Sequence, residues 1–351
     1  FLALELAALP LYVLAAGEEG IARQWEGEAA AKFLHLGLLA SALFLFGSAL
    51  VYIGAGTTSL QGMASHWGEE GYAEVVLPGV ALLNAGLLCK AAAVPFHAWS
   101  IDVREGVSAS LAAFIGCAGM AAALAALARL LLIGLEPLRE IWQPLLCFVA
   151  VLTILLATLL ALNQRSLKRL WAYLGIAHMG CALAALAAGR GEGLAVLLFG
   201  LVTASLSGVA LFAGAALKEE RGVAQPQLSA YRGLGRERPL LGALLAVSAL
   251  SLAGLPPTAG FSARLYAVHA LVDAELVWLA VVVAATLPLA FYACVRFIIS
   301  IYTRRRGTSR HVELSAELLV VLLLAATVSI GAGLLPEVLM ETARSAAVSL
   351  M

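Results

Sequence analysis

The sequence predicts an all-α protein that crosses a membrane many times, and three observations predict it. The chain is 62% apolar and only 13% charged, with a mean hydropathy of +0.96, whereas a soluble domain carries roughly 25% charge. Its apolar residues gather into runs long enough to cross a bilayer, which takes about 17–25 residues per helix. The polar stretches between runs are short, as in NQRSLKR at 163–169, so neighbouring helices run antiparallel. A soluble helical core of this size would need a polar face on each helix, and these runs have none.

Ten runs fall near 1–16, 31–55, 73–93, 107–132, 141–162, 170–188, 192–217, 240–270, 275–302 and 314–339. The first, FLALELAALPLYVLAA, is hydrophobic from its first residue. It lacks the Met, the basic segment and the cleavage site of a signal peptide, and reads as a chain whose beginning is missing. The third ends in LLCKAAAVPFHAW at 87–99, where Lys90 precedes Pro95, His97 and Trp99. Proline removes a backbone donor and clashes with the preceding turn, so this helix is predicted to break. The eighth contains SLAGLPPTAGFSARLY at 251–266, with Gly254, Pro256, Pro257 and Gly260, and Arg264 one turn later. It is predicted to break as well. Unwound backbone at membrane depth is tolerated only against protein or a watery cavity, and interrupted helices beside buried cations mark a transporter core.

The basic residues orient the bundle. The odd-numbered connections hold Arg23, Arg104, Arg165, Lys168, Arg169, Lys218, Arg221, Arg232, Arg236, Arg238, Arg304, Arg305, Arg306 and Arg310, against Arg129, Arg139, Arg190 and Arg344 on the other side. By the positive-inside rule the odd connections are cytoplasmic. Net charge is zero and gives no reason to expect a nucleic-acid partner. The five cysteines, Cys89, Cys117, Cys147, Cys181 and Cys294, lie in apolar segments without metal-ligand spacing. There is no phosphate loop, no GxGxxG and no strand alternation.

Within the helices the remaining charges are Glu5, Lys32, Lys90, Arg264 and Arg296, joined by His35 and His178. An ionised group in hydrocarbon costs about 2.5–3.5 kcal/mol on insertion scales. Lys32 and Arg296 are close enough to a helix end to snorkel. Lys90, just before the Pro95 break, is harder to dismiss, since a lysine in a dry bundle next to a carboxylate can take and release a proton near neutral pH. Glu5 is its natural partner if the first and third helices meet. The residues by themselves lead to an ion-conducting membrane subunit.

Taken in order, FLALELAALPLYVL, EAAAKFLHLGLLASALFLFGSALVY, KAAAVPFHAWSIDVREG, NQRSLKRLWAYLGIAHMG, YRGLGRERP and SLAGLPPTAGF resemble subunit N of the proton-pumping NADH-quinone oxidoreductases, bacterial complex I. The resemblance covers essentially the whole chain and begins at the family's fifth helix, so about four of the fourteen helices usual in the family would precede Phe1. It implies an antiporter-like fold of inverted five-helix repeats: an N-terminally incomplete first half-channel at 1–162, a second at 163–302, and a basic loop with a final helix at 303–351. It implies a multi-pass subunit of the bacterial inner membrane, set among other membrane-arm subunits and the lipid bilayer. NADH, FMN, iron–sulfur clusters and quinone are expected elsewhere in the complex, with no cofactor bound by this chain. By the same resemblance, Glu5 matches the helix-5 glutamate, Lys90 the central lysine and Lys32 a further lysine often found in subunit N. His97 and His178 match channel histidines, and Arg264 stands where the family has a lysine.

The chain also departs from the family. Its VSASLAAFIGCAGM stands where APTPVTAFLATxSK is usual, which puts Met120 in place of a bridging lysine and Ser108 and Ser110 in place of two prolines. AYSSIAHMG has become AYLGIAHMG, losing hydroxyls at Leu174 and Gly175. Arginine at 264 keeps the charge but scarcely deprotonates. A subunit of a multisubunit cation/proton antiporter or membrane-bound hydrogenase shares the module, and a structural subunit with a decayed channel is a further alternative.

Overall fold

The computed structural model describes residues 1–17, 23–69, 74–219, 227–304 and 315–350. Of the basic residues used for orientation, Arg221, Arg305, Arg306 and Arg310 lie outside this set, as do the side chains of Arg23 and Lys218. Apart from an isolated bridge between Ser166 and Gln227, the described residues form helices and their connections. Leu- and Ala-rich segments fold this way in a bilayer because each helix satisfies its own backbone.

In chain order the helices are α1 (Leu2–Gly17), α2 (Arg23–Ala55), α3 (Leu60–Glu69), α4 (Val76–Lys90), α5 (Ala98–Gly106), α6 (Ala109–Phe114) and α7 (Met120–Arg129). They continue with α8 (Arg139–Leu162), α9 (Leu167–Ala187), α10 (Glu192–Glu219), α11 (Leu234–Glu237), α12 (Pro239–Ala253), α13 (Ala259–Asp273), α14 (Val277–Ala285), α15 (Leu287–Tyr302), α16 (Ala316–Leu334) and α17 (Pro336–Leu350). Among the described residues seven helical stretches are long and apolar enough to cross a membrane. Leu2–Gly17, Val76–Lys90 and Pro239–Ala253 are shorter apolar helices. Together these account for the ten runs of the sequence.

At the centre, α9 is buried along almost its whole length, with α8 on one side and α10 on the other. One flank is built from α1, α2 and α4, the other from α12, α13 and α16 against α10. The outer helices α2 and α16 leave Leu38, Phe46, Tyr52, Val320 and Leu324 exposed, as expected where lipid or a neighbouring subunit is the solvent.

Both expected breaks are present. After Lys90 the chain is non-helical until α5, and after Ala253 until α13. Several details depart from the sequence reading. The 107–132 helix is interrupted by two π turns, Ile115–Gly119 and Leu130–Gly134. The 275–302 run divides at Thr286, with Pro288 inside the first turn of α15, where a proline costs no helical hydrogen bond. The C-terminal region holds two helices, because Pro336 opens α17 rather than ending a single final helix.

Candidate functional site

The first break exposes backbone groups that hydrocarbon cannot satisfy, and side chains from elsewhere satisfy them. The Trp99 indole donates to the Cys89 carbonyl at 3.0 Å, and Val94 N–H donates to the Thr153 hydroxyl at 3.1 Å. Ala92 sits at φ 53 in the turn. Lys90 ends α4, where the last carbonyls favour a cation. Its ammonium meets the Glu5 carboxylate of α1 at 2.8 Å, with side chains only 12% and 17% exposed. Ser41 Oγ, on α2, donates to Glu5 at 2.5 Å. Three helices distant in sequence therefore converge on one ion pair. Beside it is an apolar cavity of about 240 Å³, lined by Tyr12, Phe33, Cys89, Lys90, Trp99 and Ile115 among others.

On the basic face of the bundle a second cluster alternates in sign. Lys32 pairs with Glu28 and Asp102, each at 2.8 Å, and Arg169 pairs with Glu105 at 2.6 Å and Asp102 at 3.4 Å. Glu28, Lys32, Asp102, Glu105 and Arg169 surround a cavity of about 80 Å³. The side chains are partly solvated, so each pair contributes at most about 1 kcal/mol to stability. His97, half-buried after the first break, lies 6.4 Å from the Tyr173 ring, centroid to centroid.

The centre is drier. Met120 opens α7 and is 1% exposed. Its helix lies against α4, and the π turn before it lies against α10. His178, on α9, has Nε2 3.4 Å from the Thr203 hydroxyl. Beyond it the second break is closed by Gly254 at φ 78 and by the Thr258 hydroxyl, which donates to Leu255 O at 2.6 Å. Arg264, 2% exposed, lies against Gly254, and among the described residues its three guanidinium nitrogens have no hydrogen-bond partner.

Over residues 1–288 the chain matches the family model described as NADH:quinone oxidoreductase/Mrp antiporter, transmembrane. The chain belongs to this family. Within the NADH:quinone oxidoreductase/Mrp antiporter family, NADH-quinone oxidoreductase subunit N of Mycobacterium tuberculosis is 36% identical over 99% of this chain, and the chain spans 66% of that relative's length. A chain of respiratory complex I from Thermus thermophilus, solved with bound aureothin, superposes with a TM-score of 0.82 at 32% identity, covering 97% of this chain and 73% of that one. A chain of the Mrp complex from a Dietzia species gives a TM-score of 0.86 at 23% identity, covering 99% and 72%, and so shares the fold.

Of the residues singled out from sequence in this family member, Glu5 and Lys90 meet directly, while Lys32 belongs to the separate cluster at the basic face. His178 and Arg264 line one small cavity. His35 faces outward, its Nδ1 against Ala31 O at 2.6 Å. Arg296 caps the C-terminus of α8 through the carbonyls of Leu162 and Gln164. Ser108 caps α6, accepting from Leu111 N–H at 3.3 Å, and Ser110 is exposed.

Two residues read as loop charges prove to be interior. Arg104 is 2% exposed, donates to Ser100 O and Ala172 O, and lies against Gly116 and Gly175. Lys168, 1% exposed, donates to Val107 O at 2.5 Å and pairs with Glu219, which also accepts from Ala109 N–H at 2.8 Å. Asp102, Glu105 and Glu219 were not singled out at all. The available signal was position: Asp102, Arg104 and Glu105 fall on a short helix just after a break, and Lys168 and Arg169 begin an apolar helix rather than ending a loop.

Proposed function

We propose that this chain passes protons across the bacterial inner membrane as a non-redox subunit in the membrane arm of an NADH-quinone oxidoreductase. NADH, FMN, iron–sulfur clusters and quinone belong to other subunits of the complex, and the partners of this chain are further antiporter-like membrane-arm subunits. The observation that carries the reading is the Lys90–Glu5 ion pair at the first helix break. A shielded carboxylate–ammonium pair changes proton affinity when it opens, because each group loses its stabilising partner. His97 and the Lys32–Asp102–Arg169–Glu105 cluster supply polar groups toward the basic face, which by the positive-inside rule is cytoplasmic. His178 lies on the route toward the second half-channel, past Met120. Arg264 acts as a fixed charge there, since a guanidinium does not carry protons at working pH. The two half-channels are assigned to residues 1–162 and 163–302.

The test is Lys90→Met in the assembled complex in sealed membrane vesicles, with NADH oxidation and proton uptake followed together. The expected outcome is a fall of tenfold or more in proton uptake and a fall in turnover, with assembly retained. Unchanged uptake would reduce the chain to a structural subunit.

A further inference from the structure

Helix α5 carries a cation that turns away from the acids beside it. Asp102 and Glu105 pair with Lys32 and Arg169 at the basic face, while Arg104 is buried. Lys90, Lys168 and Arg169 each meet a carboxylate. Among the described residues Arg104 meets none: its Nε donates to Ser100 O at 3.2 Å and its Nη2 to Ala172 O at 3.3 Å. Gly116, in the π turn, makes room for the guanidinium, since a Cβ there would lie 2.9 Å from Nη1. An uncompensated buried charge is costly, and a neutral amide could also donate to carbonyls. The two bonds therefore do not by themselves account for an arginine.

Its place in the bundle does. Ile115, Ala118 and Gly119, of the same π turn as Gly116, line the cavity beside Lys90. On its other side Arg104 faces Gly175, which stands one turn ahead of His178 on α9. A guanidinium keeps its proton at working pH, and a permanent charge in low-dielectric surroundings strongly repels a like charge. An arginine so placed can exclude protons and cations from a pore. We propose that Arg104 is an electrostatic barrier in the segment between the Lys90–Glu5 pair and His178, and that it keeps the resting subunit from leaking protons. This rests on the proton-passing reading above.

The test uses the assembled complex in liposomes without NADH. A potassium diffusion potential is imposed, and passive proton entry is followed with a trapped pH dye. Arg104→Gln should raise entry about tenfold, while Arg104→Lys should leave it near the parent's. Adding Lys90→Met to Arg104→Gln should bring entry back down, because the same segment carries the leak. Entry unchanged in Arg104→Gln, equal leakage in the Gln and Lys variants, or a leak that survives Lys90→Met would each overturn the barrier. If Arg104→Gln does not assemble, Arg104→Met gives the neutral readout with a side chain that needs no partner. Failure of both to assemble would make Arg104 a structural tether of α5 to α9, and would overturn the barrier too. The proton-passing reading fails separately, through NADH-driven uptake that Lys90→Met leaves unaltered, so the two failures are told apart.

Discussion

Lys168 shows how much a single side chain can hold in this molecule. Its ammonium ties α9 to the Val107 carbonyl ahead of α6 and to Glu219 at the end of α10. Replacing it with Met strands a carboxylate and a buried carbonyl. The expected cost is about 3 kcal/mol, at the low end for a broken buried pair because Glu219 keeps the Ala109 N–H. Thermal denaturation of the purified complex would register it, and a loss within experimental error would show that Lys168 finds water instead. Trp99 is a smaller case. Trp99→Phe keeps the stack on Phe33, whose ring centroid lies 5.4 Å away, but removes the donor to Cys89 O. About 1–3 kcal/mol is expected from leaving that buried carbonyl unpaired, again seen as a lowered unfolding temperature. At this scale the sequence was informative about Lys90, whose charge falls at the end of an apolar run just before the Pro95 break. It was misleading about Arg104 and Lys168, since position in a connection says nothing about whether two other helices close over it.

At the scale of elements, proline and glycine predicted the two breaks, and the contacts that make them habitable came from elsewhere in the chain. Thr153 and Trp99 serve the first; Thr258 serves the second. Gly260 marks a close approach of α13 to α12, where an added Cβ would overlap the Ser251 carbonyl. Gly260→Ala should therefore force the broken helix apart, with an overpacking cost of about 1–3 kcal/mol. Size-exclusion profiles and thermal unfolding would detect the change; a variant as stable as the parent would mean that the backbone relaxes freely there. The π turns around α7 had no such punctuation. They insert a residue into the helical ladder without proline, so apolar periodicity could not find them. The divided C-terminal region was legible in part, since Pro336 is where α17 begins, but the single apolar run 314–339 concealed it.

For the whole molecule, the charge asymmetry read from the connections reappears as two faces. Arg165, Arg232, Arg236, Arg238 and Arg304 are exposed on the side where Arg169 meets Asp102 and Glu105. On the opposite side Arg139 donates to Ala188 O at 2.9 Å, Arg190 to Leu132 O at 2.9 Å, and Arg344 to Glu192 at 2.7 Å. The five native cysteines are buried, so introduced thiols can report the faces separately. Arg232→Cys should react with a membrane-impermeant maleimide only from the cytoplasmic side of sealed vesicles, and Glu140→Cys only from the other. Labelling of both from one side would refute the orientation.

The sequence by itself determined the membrane class, the ten apolar runs, the two breaks and the bias of basic residues, because each follows from local composition and from the cost of putting charge or unpaired backbone in hydrocarbon. Only the tertiary structure decided that Glu5 meets Lys90, that Arg104 and Lys168 are interior, and that Arg264 stands without a carboxylate among the described residues. Those facts depend on which helices touch, and in a bilayer helices uniformly apolar around their circumference carry little pattern to say which neighbour each will choose.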